Sequence, residues 1–241
     1  MSSHFINNLF KKSDCGFFAL IDPDLKNDYI LDKIISTVND NNFSAVLVGG
    51  SSICDDKYEK RLEKIKRKVK KPVILFPGSS NQITQFADAI LFTSLLSGRN
   101  PKYLIDEQVK GVKLIKKYNL PVISTGYFLL GTESKTSVEK ISETVPLDPL
   151  DFENVLNHVL VAQYFGMNLI YLENGSGAGN PVNYNLVEFL SNNIEIPMIV
   201  GGGIQNKDDI INIKKAGARF IVLGTILEEN PDSVFISKLL S

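Results

Sequence analysis

Short apolar runs rich in β-branched residues alternate along this chain with longer stretches whose apolar residues recur every three or four positions. The runs are FFALID (17–22), AVLVGG (45–50), PVILFP (72–77), DAILFTS (88–94), PVISTGYFLL (121–130), LIYLEN (169–174), PMIVGGG (197–203) and RFIVLGT (219–225). Helical spacing marks the segments between them, such as DYILDKIISTVNDN, PKYLIDEQVKGVKLIKKY, LDFENVLNHVLVAQYFG and KDDIINIKKAG. Strands that alternate with helices predict a parallel sheet joined by crossover helices. One repeat breaks the pattern: GSSNQITQFA, between the third and fourth runs, is too short for a full crossover helix and its loops. An open doubly wound sheet also fits the alternation, but eight strands favour a closed α/β architecture, a (β/α)₈ or TIM barrel with a truncated third repeat.

Length agrees with this, since 241 residues is close to the ~250 typical of one such barrel. No linker or low-complexity tract divides the chain, so 1–241 is expected to form one domain. Apolar residues make up 44% and charged residues 22%, and no apolar run approaches the ~18 residues of a membrane span. The start, MSSHFINNLFKKSDCGFF, has polar and charged residues where a signal peptide has its apolar core, which predicts a cytoplasmic protein. A net charge of −1 speaks against a nucleic-acid partner, which requires a basic footprint. The basic stretch 60–71, KRLEKIKRKVKK, keeps Leu62, Ile65 and Val69 at helical spacing and predicts an amphipathic helix with a solvated charged face. Cys15 and Cys54 lack CxxC spacing and are expected to be reduced thiols, and His4 and His158 have no partner spacing.

In a (β/α)₈ barrel the active site forms where the strands end. The first run ends Asp22-Pro23-Asp24, and a carboxylate there suits Mg²⁺, which often takes only one or two protein carboxylates beside substrate phosphates. Asp24 is as well placed to cap the following helix. The second ends Gly49-Gly50-Ser51-Ser52, where glycines admit a ligand to the backbone and a hydroxyl can join a phosphate or metal shell, unless it is simply a turn. The sixth ends Tyr171-Leu172-Glu173-Asn174-Gly175-Ser176-Gly177, so Glu173 is either a general base beside a bound polyol or half of a loop salt bridge. The seventh and eighth end Gly201-Gly202-Gly203-Ile204 and Gly224-Thr225, whose backbone N–H groups stand where these barrels hold phosphate. After the fourth, Arg99 either reaches a phosphate or anchors its own loop. Phe92, Leu95, Leu96, Tyr127, Phe128 and Tyr164 would suit an elongated hydrocarbon groove, with core packing the alternative for each.

Taken together, IDPD, VGGSS, SLLSGRNPxYLI, YLENGSGAG, GGGI and GT resemble the geranylgeranylglyceryl phosphate synthase family over about residues 17–229. The resemblance implies a barrel whose third helix is replaced by a loop, and a prenyltransferase that joins a polyprenyl diphosphate to the 3-hydroxyl of sn-glycerol 1-phosphate in ether phospholipid biosynthesis. It implies that Asp22 and Ser51 hold Mg²⁺. It implies that Tyr171, Leu172, Glu173, Asn174, Gly175, Ser176 and Gly177 bind sn-glycerol 1-phosphate together with Gly201, Gly202, Gly203, Gly224 and Thr225, and that Glu173 orients or deprotonates the attacking hydroxyl. Some members carry Lys two residues before the metal Asp, where this chain has Leu20. A homo-oligomer follows from the family habit of associating through helical faces, and transient membrane contact from an amphiphilic substrate. Two other functions stay open. A different phosphate-sugar barrel, an isomerase or lyase, would need a carboxylate opposite Glu173, and a non-catalytic barrel would bind a phosphorylated ligand without turnover.

Overall fold

A computed structural model describes residues 15–50, 55–131 and 137–241, together with Phe5 and Leu9. Its eight strands are β1 Gly16–Ile21, β2 Ala45–Val48, β3 Val73–Leu75, β4 Ala89–Leu95, β5 Val122–Leu129, β6 Leu169–Glu173, β7 Met198–Gly201 and β8 Phe220–Leu223. They pair in parallel in chain order, and β8 returns to β1, so the sheet closes. Every expected strand is present. Around them lie α1 Leu31–Asp40, α2 Tyr58–Lys68, α3 Glu107–Tyr118, α4 Ser137–Ser142, α5 Phe152–Tyr164, α6 Tyr184–Asn193, α7 Lys207–Lys215, α8 Thr225–Glu229 and α9 Ser233–Leu240. A π-helical turn, Lys102–Asp106, leads into α3.

Strand periodicity sorts the apolar side chains into two layers. Phe18, Leu47, Ile74, Leu91, Ile199 and Phe220 point into the barrel, while their neighbours Ala19, Val46, Val48, Ile90, Val200 and Ile221 face the helices. Phe18 and Phe220 stack at 4.4 Å near the strand starts. Truncating either to Ala would cost about 3–5 kcal/mol, since neither ring has a solvent-filled alternative.

Between β3 and β4 there is only a 3₁₀ turn, Ser80–Gln82, so a loop replaces the third helix. Gln82, 1% exposed, ties that loop down: its carboxamide donates to Gly50 O at 2.7 Å and accepts from Gly50 N and Gly78 N. The basic run forms α2 with Leu62 and Ile65 buried, as its spacing predicts. One cation departs from the expected solvated face. Arg61 turns inward, 5% exposed, because Asp28 and Asp55 from two different loops converge on it.

Candidate active site

The same alternation decides what faces the barrel mouth. Phe18 and Leu20 point inward, so Asp22, two residues on, does too; Leu169 and Tyr171 do the same for Glu173. Both carboxylates border one continuous cleft with Gly202, Gly203, Gly224 and Thr225.

Glu173 is 6% exposed and accepts the Gly175 N–H on Oε1 at 2.7 Å. Burial pushes its carboxyl above the ordinary value, and the Gly175 amide and nearby Tyr171 hydroxyl only partly oppose this. Tyr171 is fully buried, and its hydroxyl, though beside Glu173, makes no hydrogen bond of regular geometry. Burial first, and the Glu173 charge second, hold that phenol well above its usual range. The glycine run is shaped by this pair: a Cβ on Gly202 (φ +85°) would lie 2.4 Å from Glu173 Oε1, and one on Gly201 2.6 Å from the Tyr171 oxygen. Ser176 Oγ and Thr225 Oγ1 meet at 3.2 Å and close the cleft's edge. Beside them Gly177, Gly203, Gln205 and Thr225 line a smaller recess. α7 begins with a capping box, in which Asn206 and Asp209 exchange hydrogen bonds; Asp209 also accepts the Gln205 N–H at 2.8 Å, which fixes the glycine run from behind.

Two residues of the sixth strand end turn elsewhere. Leu172 packs against the helices, and Asn174 donates to Asn180 O at 2.8 Å, shaping the loop it stands in.

Across the mouth, Lys26 Nζ lies 3.4 Å from Asp22 and 3.8 Å from Glu228 of α8. Asn27 Nδ2 donates to both Asp22 O and Glu228 Oε1 at 2.9 Å. Burial raises the Asp22 carboxyl and Lys26 pulls it back only in part. The Asp22 carboxylate packs against the Gly50 backbone, where a Cβ would come 2.4 Å from Asp22 Oδ1. Asp24 is a cap: it accepts the Lys26 N–H at 3.2 Å and starts a 3₁₀ turn. Ser51, with Ser52, Cys54 and His4, lies outside the described residues. Glu228 escaped the sequence reading because a Glu in a short helix carries no signal of its own; its position three residues after Gly224-Thr225 was the available hint.

The cleft continues as an apolar groove. Phe76, Tyr127 and Tyr171 form its inner wall with ring centroids 5.2–5.7 Å apart. It then runs over Ile90 and Phe92 on the outer face of β4 toward Ile83 and Gly111, between the β3–β4 loop and α3. Gln108 donates to Thr93 O and Tyr103 O, while its Oε1 is buried with no partner among the described residues. Phe92, Leu95 and Tyr127 therefore line the groove as expected. Leu96 and Phe128 do not: they pack in the outer layer, Phe128 because its neighbour Tyr127 takes the inward position. Tyr164 is 77% exposed at the end of α5. Arg99 anchors its own loop, donating to Gly98 O at 2.7 Å and meeting His158 Nε2 at 3.0 Å.

Fold and cleft define a TIM barrel whose mouth joins a glycine-lined polar pocket to an apolar groove. The chain belongs to the PcrB family, whose sequence model matches residues 8–239. A geranylgeranylglyceryl phosphate synthase of Flavobacterium johnsoniae is 43% identical over 88% of this chain and 87% of its own length, and one of Pyrococcus furiosus is 37% identical over 88% and 84%. Among solved structures, wild-type GGGPS from Thermoplasma volcanium superposes with a TM-score of 0.89 at 32% identity, covering 100% of this chain and 96% of its own. The (S)-3-O-geranylgeranylglyceryl phosphate synthase of Thermoplasma acidophilum, solved with its substrate sn-glycerol-1-phosphate, gives 0.88 at 29% identity, with 98% and 96% covered.

Proposed function

We propose that this chain is a prenyltransferase that joins the 3-hydroxyl of sn-glycerol 1-phosphate to a polyprenyl diphosphate, above all geranylgeranyl diphosphate, and so makes geranylgeranylglyceryl phosphate for ether phospholipids. The observation that carries this reading is the continuity of the cleft: a buried carboxylate among glycine loops opens directly into a long apolar groove. An isomerase or lyase would have no use for the long apolar groove, and Asp22 and Glu228, the acids across the mouth from Glu173, are engaged by Lys26.

The loops of Gly201 to Gly203, Gly224 and Thr225 hold the phosphate, with Gly177 and Ser176 at its edge. Glu173 accepts the proton of the 3-hydroxyl as its oxygen attacks C1 of the prenyl chain. The C1–O bond breaks and diphosphate leaves with the electron pair. A carboxyl raised by burial is the stronger base for this step. Tyr171 donates to a glycerol oxygen, which supplies the partner its hydroxyl lacks. The aromatic wall excludes water from C1, which keeps the developing allylic cation from hydrolysis.

Asp22, with Glu228 nearby, would hold Mg²⁺ in place of the Lys26 ammonium that bridges the two carboxylates, and Ser51 follows Gly50 in sequence. When bound, that ion neutralises the leaving diphosphate. Among the described residues no group of three or more potential metal ligands occurs. Homo-oligomeric association and transient membrane contact belong to the same reading; no helix among the described residues is long and apolar enough to cross a membrane.

The test is incubation with Mg²⁺, radiolabelled sn-glycerol 1-phosphate and a series of prenyl diphosphates, followed by organic extraction. Label is expected in the organic phase. Its absence with every chain length would overturn the proposal.

A further inference from the structure

The loop that stands in for the third helix lies between α2 and α3 and touches both: Tyr58 Oη donates to Gln82 O at 2.9 Å, and Ser80 N to Glu107 Oε2 at 2.7 Å. These two flanking segments gather the cations of the chain. Residues 57–71 hold nine of its 26 lysines and arginines and residues 102–117 another five, against four carboxylates in the two stretches together. They carry +10 on a chain whose net charge is −1, which leaves −11 on the remainder. Ion pairs engage Arg61, Lys64, Lys66, Lys68 and Lys110. Lys113 and Lys116 make none among the described residues, and both are exposed.

On the same helical segment Ile105, Val109 and Val112 are 55%, 65% and 44% exposed. Their spacing of four and three sets them on one face, with Lys116 next along it. Tyr103, Gln108 and Gly111, on the other side of the segment, wall the groove. An apolar stripe rimmed by lysines therefore forms the outer surface of the wall whose inner surface meets the hydrocarbon.

We propose that this face of α3, with the basic end of α2, docks on an anionic lipid bilayer. An interfacial helix holds its apolar side chains among the acyl chains while flanking lysines meet lipid phosphates, and this is the pattern of residues 102–117. A second copy of the chain fits less well, because two faces of this charge would repel. Nucleic acid would leave the apolar stripe without a purpose. Docking in this orientation turns the open side of the barrel toward the membrane, where a long prenyl chain resides before transfer and to which the product returns. This rests on the reading that a hydrocarbon chain fills the groove, yet it is tested apart from catalysis.

The full chain is sedimented with vesicles of phosphatidylcholine alone or of an equal mixture with phosphatidylglycerol. Binding to the mixed vesicles only, released by salt, is expected. Lys113→Gln with Lys116→Gln should weaken it by about fivefold per charge removed. Val109→Ser should weaken it at low and high salt alike. None of these residues lines the cleft, so turnover of a short, water-soluble prenyl diphosphate without vesicles should stay at the wild-type rate, which also verifies folding. A chain that remains in the supernatant with mixed vesicles at low salt overturns the proposal. So do variants that bind vesicles normally but show a reduced mass by light scattering, since the face would then be covered by a second copy.

Discussion

Arg61 grips Asp28 through two parallel hydrogen bonds, Nε to Oδ1 at 2.5 Å and Nη2 to Oδ2 at 2.9 Å, and with its other edge holds Asp55 at 2.7 and 2.8 Å. Asp28 follows Asp22 in the connection after β1, and Asp55 immediately precedes α2, so one guanidinium ties the two connections together. Arg61→Met should raise the KM for prenyl diphosphate by about tenfold to a hundredfold, the scale on which supporting groups act on a metal site, with the KM for glycerol phosphate unchanged. Arg61→Lys, which keeps the charge but loses the fork, should fall between. Equal change in both KM values would place the effect on the whole barrel.

The same pairing sets an acid limit. Arg61 holds the Asp55 carboxyl down to about 2 and lowers that of Asp28. Carboxyls depressed in the folded state contribute stability above their ordinary 3.8 and lose it as pH falls toward about 2. Acid unfolding of Arg61→Met should therefore be shallower than that of the wild type across this window, which circular dichroism at stepped pH would measure.

Glu173 has the opposite sign. Its folded-state carboxyl is raised above 4.5, so its contribution to stability is present below that value and lost as pH rises through the folded one. Glu173→Gln should melt at a higher temperature than the wild type at neutral pH, with the gap closing in acid, while turnover falls by about a hundredfold or more. A variant that melts lower at neutral pH would show that the charged carboxylate holds the fold together.

Glycines at the barrel mouth separate by role. Gly203 (φ +70°) has Asn180 O only 1.9 Å from where a Cβ would stand, so Gly203→Ala should cost about 1–3 kcal/mol or more in denaturant unfolding. Gly224 has an ordinary φ of −118° and would set its Cβ 3.4 Å from Leu20. Gly224→Ala should leave stability within about 0.5 kcal/mol and raise the KM for glycerol phosphate alone. An unchanged KM would remove Gly224 from the phosphate site.

Chain length should respond at Gly111. A Cβ there would meet Ile83 Cδ1 at 2.6 Å across the groove, so Gly111→Val narrows the passage. Product analysis with mixed prenyl diphosphates should shift toward shorter chains. Unaltered preference would mean that long chains leave the barrel by another route.

Much of this was legible in the sequence, because β-branched runs and period-two alternation are local properties. All eight strands and the shortened third repeat follow from them. Arg61 was not legible, since a cation in a basic helix is solvated unless acids from distant loops reach it, and that is decided by tertiary structure. Gln82 likewise looks like one polar residue in a polar loop until three backbone groups close on it. Tyr127 and Phe128 show the limit of composition: both suit a groove, but only strand parity tells which of two neighbours faces inward. Ser51 lies outside the described residues, so its expected place beside Asp22 rests on sequence alone.

The missing third helix leaves Ile90 and Phe92 on the outer face of β4 bordering an open groove, where other strands are roofed by protein. A prenyl tail lying there would serve as a temporary roof tile, so the shell of the barrel would be finished by its own substrate. Affinity for the tail and rigidity of that flank would then be one quantity, and melting temperature should climb with each isoprene unit until the groove is full.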